Sequence, residues 1–438
     1  MKITQDFLND GNKKIISKGL MNPFTNFDEI ITKDPLDAAA YYNRGIIKSK
    51  YNDHLGGIAD FTKAISIDPN CTEFYLSRGA AKDVLRDHAG AIADFTQVIT
   101  LISWDSPAYY LRGHTKYRNN DQNGAIADYT IALSLDPRCL EALFGRAEVK
   151  SSLNDYVGAI DDLNLLIMMN PSNTIALYER AHVKEMNNSY ISAIFDFTRI
   201  IEVNPDDAKA YFKRGYIKHY GLKDLIGGIA DYDEAIKIIP GNEEYYLLRG
   251  NAKHSLDDYA GAIGDFTTII ELFDALDPEG PEDMEDSEYY SEMAYYDRAF
   301  VKKDLLDYAG AIADYTEAIK LNPEFFFAFA ERAKVKILIN DFAGAIDDCT
   351  ISISIRPNEF ADAYSVRGKA KIELKDYKGA ITDLNKAIKL EPNLAEAYNN
   401  RGFAKIQLGR KKSGGEDLSK AKDLEHEKEN EAIKEYNQ

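Results

Sequence analysis

Apolar and polar residues alternate along this chain with a helical rhythm that restarts about every 34 residues. In YYNRGIIK, residues 41 to 48, aromatic, small and cationic side chains fall three or four apart and so share a helix face. A second segment, GGIADFTKAI at 56 to 65, carries a small residue, an Asp and a bulky residue at helical spacing. Asp residues such as Asp87, Asp121 and Asp155 stand between the two segments as N-caps, and Pro69, Pro137 and Pro171 end the second helix. Each period therefore predicts a helical hairpin. Its small residues let the two helices approach closely, and its large ones fill the gap to the next hairpin.

Arg44, Arg78, Arg112, Arg146, Arg180, Arg214, Arg249, Arg298, Arg332, Arg367 and Arg401 mark eleven such units. After each Arg comes Gly or Ala, then a Lys four along, a small residue near thirteen (Gly57, Ala91, Ala125) and an Asp near sixteen. The first unit, through Tyr41, Arg44-Gly45, Lys48, Gly57, Phe61 and Pro69, resembles the tetratricopeptide repeat. That resemblance covers roughly residues 38 to 428, with Arg where the family usually has Leu and Lys where it has Tyr, an RGxxK variant of bacterial type. It implies an all-α fold, a right-handed superhelical α-solenoid whose first helices line a concave groove for peptides or proteins.

The organisation follows from the phase of the repeat. Phe7, Gly11, Lys14, Phe27 and Pro35 fit it faintly, so residues 1–37 are expected to form a degenerate capping repeat. Repeats 1 to 7 span 38–276 and repeats 8 to 11 span 292–424, and 425–438 reads as a charged helix that solvates the end of the array. Between the two blocks the acidic insertion DPEGPEDMEDSEYYS, residues 277–291, is expected to be a mobile loop, a dock for a basic partner or a flap over the groove. One extra residue is expected in the turn around Leu222 to Gly227, and another near Glu359 and Phe360.

Charge changes the picture of partners. With 53 basic and 72 acidic residues the net charge is −19, which repels nucleic acid and anionic membranes. Cys71, Cys139 and Cys349 are too scattered for a disulfide framework or zinc site, and no apolar run is long enough to span a membrane or serve as a signal peptide. The expectation is a cytoplasmic protein that is a monomer or weak oligomer. No glycine-rich phosphate loop, HExxH or GxSxG is present, and the pairs Asp161-Asp162 and Asp347-Asp348 lie in repeat phase. No enzyme, cofactor or metal site is therefore expected.

The recurring cations pose the main question. One possibility is an anion grip. The other is an internal ladder, because each unit also supplies an Asp on its second helix: Asp60, Asp94 and Asp128 in the first three. One carboxylate accepts from both an Arg and a Lys. The ladder is thus expected to join Arg44 and Lys48 to Asp60, Arg78 and Lys82 to Asp94, and Arg112 and Lys116 to Asp128, with each Asp also bridging to a neighbouring hairpin.

Binding is then expected on the opposite face of the first helix, at two residues before the Arg and two, five and six after it. These offsets hold Tyr110, His114, Tyr117 and Arg118, then Tyr178 and His182, then Phe212, Tyr216, His219 and Tyr220, and finally His254, Tyr296 and Phe300. Such rings suit a peptide surface, although exposed residues on a polar helix side would read the same. One branch of the family clamps a carboxylate with Lys, Asn and Arg; Tyr110 and Phe144 stand where that Lys would be, and Lys209 and Lys213 lack the Asn. The functional expectation is a protein-interaction scaffold. The alternative is an accessory subunit that positions substrates for a separate enzyme or secretion assembly, distinguished by stoichiometric recovery of an enzyme in a pull-down.

Overall fold

Helical hairpins follow one another through the computed structural model, which describes residues 23–275 and 284–436. The described residues contain helices and no strands. Residues divide into two compact units, one ending at Pro205 and the other beginning at Asp206.

The second repeat shows how sequence becomes hairpin. Its helices run Thr72–Val84 and His88–Leu101. Arg86 takes a left-handed φ of 64°, which turns the chain, and the amide of Asp87 then donates to the Lys82 carbonyl at 2.9 Å. Asp87 in turn caps the next helix, its carboxylate accepting from the Gly90 amide at 2.9 Å. Within the hairpin a Cβ on Gly79 would stand 2.8 Å from Phe95 Cε1, so the bare backbone at this position is what admits the ring. Phe95 joins Tyr75, Leu76 and Val98 with Tyr110, Leu111 and Tyr129 of the following repeat, forming a core that runs between hairpins.

The left-handed turn residue recurs in every hairpin, and Asn fills it at Asn52, Asn120, Asn154, Asn188 and Asn340. Leu306 holds the same conformation, φ 62°, while 69% exposed, so it bears backbone strain and contributes little burial. Leu306→Asn is expected to stabilise the second unit by about 1 kcal/mol, read as a higher urea midpoint at unchanged slope.

Three expectations are corrected. The extra residue assigned to the turn at Leu222–Gly227 lies instead within the helix: Ala208–Tyr216 continues as a π-helical turn, Ile217–Gly221. Widening that turn lets the Asp224 amide still reach the Lys218 carbonyl at 2.8 Å, so the cap survives the insertion. The acidic insertion is helical from Met284, where a helix begins that runs to Asp304. Ser287, Ser291 and Ala294 are buried at helical spacing, and Ser287 donates to Glu243 Oε1 at 2.8 Å. The segment expected as a separate end helix continues the last repeat's second helix, Lys411–Tyr436. The residue near Glu359 and Phe360 does lie in a turn, after Phe342–Ile355 and before Ala361–Glu373. Most of the N-terminal cap, including Phe7, Gly11 and Lys14, falls outside the described residues; its helix Pro23–Lys33 packs on the first repeat. Among the described residues no helix is long and apolar enough to cross a membrane.

Candidate interaction site

The repeated cations are engaged inside each hairpin. Arg44 donates through Nε to Asp60 Oδ2 at 2.9 Å and through Nη2 to Oδ1 at 2.6 Å, while Lys48 Nζ lies 2.9 Å from Oδ2. Asp94 receives Arg78 and Lys82 in the same way, and Asp128 receives Arg112 and Lys116, with every bond at 2.6 to 3.0 Å. This fork on a buried carboxylate uses Nε and Nη2 of the Arg and leaves the Lys a remaining lone pair.

The link between hairpins takes a route that differs from the expected one. Arg78 Nη1 donates to Thr62 Oγ1 at 3.1 Å, Arg112 to Thr96 at 3.2 Å and Arg146 to Thr130 at 3.1 Å. Asn164 receives Arg180 and Asn385 receives Arg401, each at 2.7 Å. The Asp therefore closes its own hairpin, and the hydroxyl, amide or, at Asp233, carboxylate two residues beyond it ties the next Arg back. Except at Leu143 and Leu177, an aromatic three residues before the Arg covers the guanidinium, as Tyr41 does for Arg44 at 5.5 Å and Tyr109 for Arg112 at 5.4 Å. At the last rung burial works against ionisation of Asp417, but hydrogen bonds from Arg401 and Lys405 outweigh it and hold the carboxyl below its ordinary value.

With the cations engaged, the open part of the first helices is narrower than the four offsets suggest. The positions two before and five after the Arg lie three before and four after the inward-facing Gly or Ala, so they turn toward the second helix. Tyr110, Phe212 and His219 are accordingly buried. Phe212 packs on Tyr245 and Tyr232 with centroids at 4.8 and 5.9 Å. His219 stacks on Tyr220 at 4.0 Å and meets the Tyr232 hydroxyl at 3.4 Å; burial pushes its pKa down, favouring the neutral ring. Tyr178 leans edge-on against Phe197, Tyr296 sits between Tyr315 and Phe325, and Tyr117 is half-buried.

The offsets two and six after the Arg carry the accessible groups. In the first unit they present half-buried His114, exposed Glu148 and exposed His182, and in the second half-buried Tyr216, exposed Tyr220 and half-buried Phe300. Arg118 is held by the buried Asp83, which also receives His88 Nδ1 at 2.9 Å. Asp83 escaped the sequence reading, although an Asp five after the repeat Arg, where the first unit has Ser49, was its visible signal. In the second unit His254 meets Asp304 at 3.0 Å and packs on Phe300, over which Lys303 Nζ sits at 3.6 Å.

Between repeats 3, 4 and 5 of the first unit the surface sinks into a recess of about 310 Å³. Tyr110, His114, Phe144 and Ile175 supply much of its wall, with Glu141 and Glu148 as its acids. Among the described residues no group of three or more His, Cys, Asp or Glu side chains is placed to hold a metal ion.

Hairpins of this length, closed by small residues against aromatics and stacked through a shared core, define a helical-repeat protein. The chain is a tetratricopeptide-repeat protein. Family models described as TPR repeat or tetratricopeptide repeat match residues 359–409, 110–174, and 38–71 with 294–325. No curated protein matches the sequence significantly. Among solved structures, the C-terminal part of a TPR repeat-containing protein from Cytophaga hutchinsonii is 18% identical, covering 56% of this chain and 98% of its own, with a TM-score of 0.48. Yeast Tom70 is 16% identical over 88% of this chain and 92% of its own, at a TM-score of 0.41. YrrB, a TPR protein with an unusual peptide-binding site, is 18% identical over 42% and 95%, at 0.37.

Proposed function

We propose that this protein is a non-catalytic scaffold that holds a peptide or protein partner on the open face of its first helices. The observation that carries this is the division of labour along each first helix. Arg, Lys and Gly are engaged within the hairpin, whereas the residues two and six after the Arg stand outside that ladder and vary from repeat to repeat. A fixed scaffold with variable outward side chains is how helical repeats acquire specificity. The strongly acidic chain disfavours nucleic acid as the partner, and the reading places the protein in the cytoplasm as a monomer or weak oligomer.

Photo-crosslinkers at His182 and Tyr220 test it, with Ile226 as the control. Ile226 is 73% exposed on a second helix, away from the proposed face. Capture of a partner from His182 in the first unit and from Tyr220 in the second, and not from Ile226, is the expected outcome. Equal capture from all three positions would contradict a binding face.

A further inference from the structure

The recess between repeats 3, 4 and 5 combines two properties that are rarely brought together without a purpose. Its walls are apolar: Tyr110, Phe144 and Ile175 line it, and Ile175 is 68% exposed. Beside His114 and Asn173, its acids are Glu141 in the first turn of the Leu140–Ser152 helix and Glu148 two turns along.

No described cation answers these acids as Lys116 answers Asp128. The Glu148 carboxyl is held above its ordinary value, first by burial against the recess wall and then by the like charge of Glu179, and no cation lowers it. Glu148 is open to solvent as a residue, yet the wall still removes enough water from the carboxyl to disfavour its charge. The one titratable base in the recess, His114, is pushed down by burial, so it is neutral near pH 7 and cannot pair with Glu148 as a cation. In the second unit Glu331, just before its repeat's Arg332, is paired with Lys303 and Lys334. The first unit leaves Glu148 without an internal cation at a place where the surface also opens into a volume the size of a side chain or two.

We propose that this recess binds a lysine or arginine side chain of an extended basic peptide, its aliphatic stem against Tyr110, Phe144 and Ile175 and its charged end at Glu148. Long cationic side chains are the groups that match an apolar wall with an acid beside it, since the stem buries while the head stays paired. The neighbouring rings add attraction for a cation that a carboxylate alone lacks. The net charge of −19 steers a basic segment toward the chain as a whole, and Glu148 fixes which residue docks. This deepens the scaffold reading above and rests on it.

The test uses the full chain and a labelled peptide of about twelve residues carrying lysine and leucine in a serine-glycine background. Two counterparts replace each lysine by norleucine or by glutamate. Fluorescence anisotropy is expected to show binding of the lysine peptide, at least about tenfold weaker binding of the norleucine peptide and none of the glutamate peptide. Glu148→Gln is expected to weaken the lysine peptide about tenfold and leave the norleucine peptide unchanged, while Glu324→Gln, on a distant turn, changes neither. Circular dichroism of Glu148→Gln should match that of the parent.

Equal binding of lysine and norleucine peptides would overturn the proposal in favour of an apolar pocket. Lysine binding that ignores Glu148→Gln would overturn it in favour of diffuse attraction by the acidic surface. If no peptide binds, the proposal also fails, whereas the scaffold reading stands or falls on crosslinking from His182 and Tyr220.

Discussion

Asp128→Asn costs the first unit about 3 kcal/mol, the low end of the range for removing one partner of a buried ion pair. Asp128 is 2% exposed and takes two charge-assisted hydrogen bonds from Arg112 and an ion pair with Lys116 at 2.8 Å. An Asn of the same shape keeps one oxygen for the Arg but turns an amide donor toward Lys116, leaving two cations without a counter-charge. The Arg and Lys side chains are 16% and 20% exposed, so water recovers part of the loss, which is why the low end applies. A repeat array does not unfold in one step, so the effect belongs to the hairpin Ser106–Leu135 and its neighbours rather than to a global midpoint. Hydrogen exchange resolved by peptide should show it as about a hundredfold loss of protection there. The second unit, starting at Asp206, serves as an internal reference.

Phe95→Ala is expected to cost about 3 to 5 kcal/mol, comparable or larger. Phe95 is 1% exposed and belongs to a core shared by its own hairpin and the next. Its ring occupies the space that Gly79 leaves open, with Cε1 2.8 Å from where a Cβ would stand. Truncation therefore leaves a cavity between two helices that cannot close on it without breaking the Arg78–Asp94 fork beside it. Urea unfolding should show an early transition confined to the first unit. A compensating Gly79→Leu in the Phe95→Ala background is expected to recover less than half of the loss, because the new side chain enters from the wrong helix.

The hairpin was legible in the sequence because Gly45, Asp53, Gly57 and Pro69 each act locally: close approach, N-cap, close approach, helix stop. The ladder's membership was legible too, since a charge repeated on an inward helix face demands a counter-charge, and Asp60 was the one on offer. Its wiring was not. Whether Arg78 uses its third nitrogen on an Asp or on Thr62 depends on the offset between hairpins, which no pattern within one repeat encodes.

Which positions of the first helices stay open was only half legible. Tyr110 and His219 are polar enough to look like surface residues, but their positions lie one turn either side of an inward Gly, and helix geometry overrides polarity. The acidic insertion misled for a related reason. Its charge pointed to a loop, while Ser287, Ser291 and Ala294 at helical spacing, small enough to pack, carried the weaker and correct signal. The single-residue insertion of the sixth repeat could have been absorbed by turn or helix with equal economy of sequence. The cap at Asp224 decided it, because a π turn preserves both that cap and the Arg214–Asp231 fork.

The repeated Arg and Lys share the Asp of their own hairpin, and the three are replaceable as a set. The triple variant Arg112→Met, Lys116→Met, Asp128→Leu tests this in one measurement, the amide exchange of Ser106–Leu135 beside that of Asp128→Asn. The prediction is that Asp128→Asn loses about a hundredfold in protection and that the triple variant regains it to within about tenfold of the parent, since no unpaired charge remains. A triple variant that exchanges as fast as Asp128→Asn, or an Asp128→Asn protein protected like the parent, would contradict it.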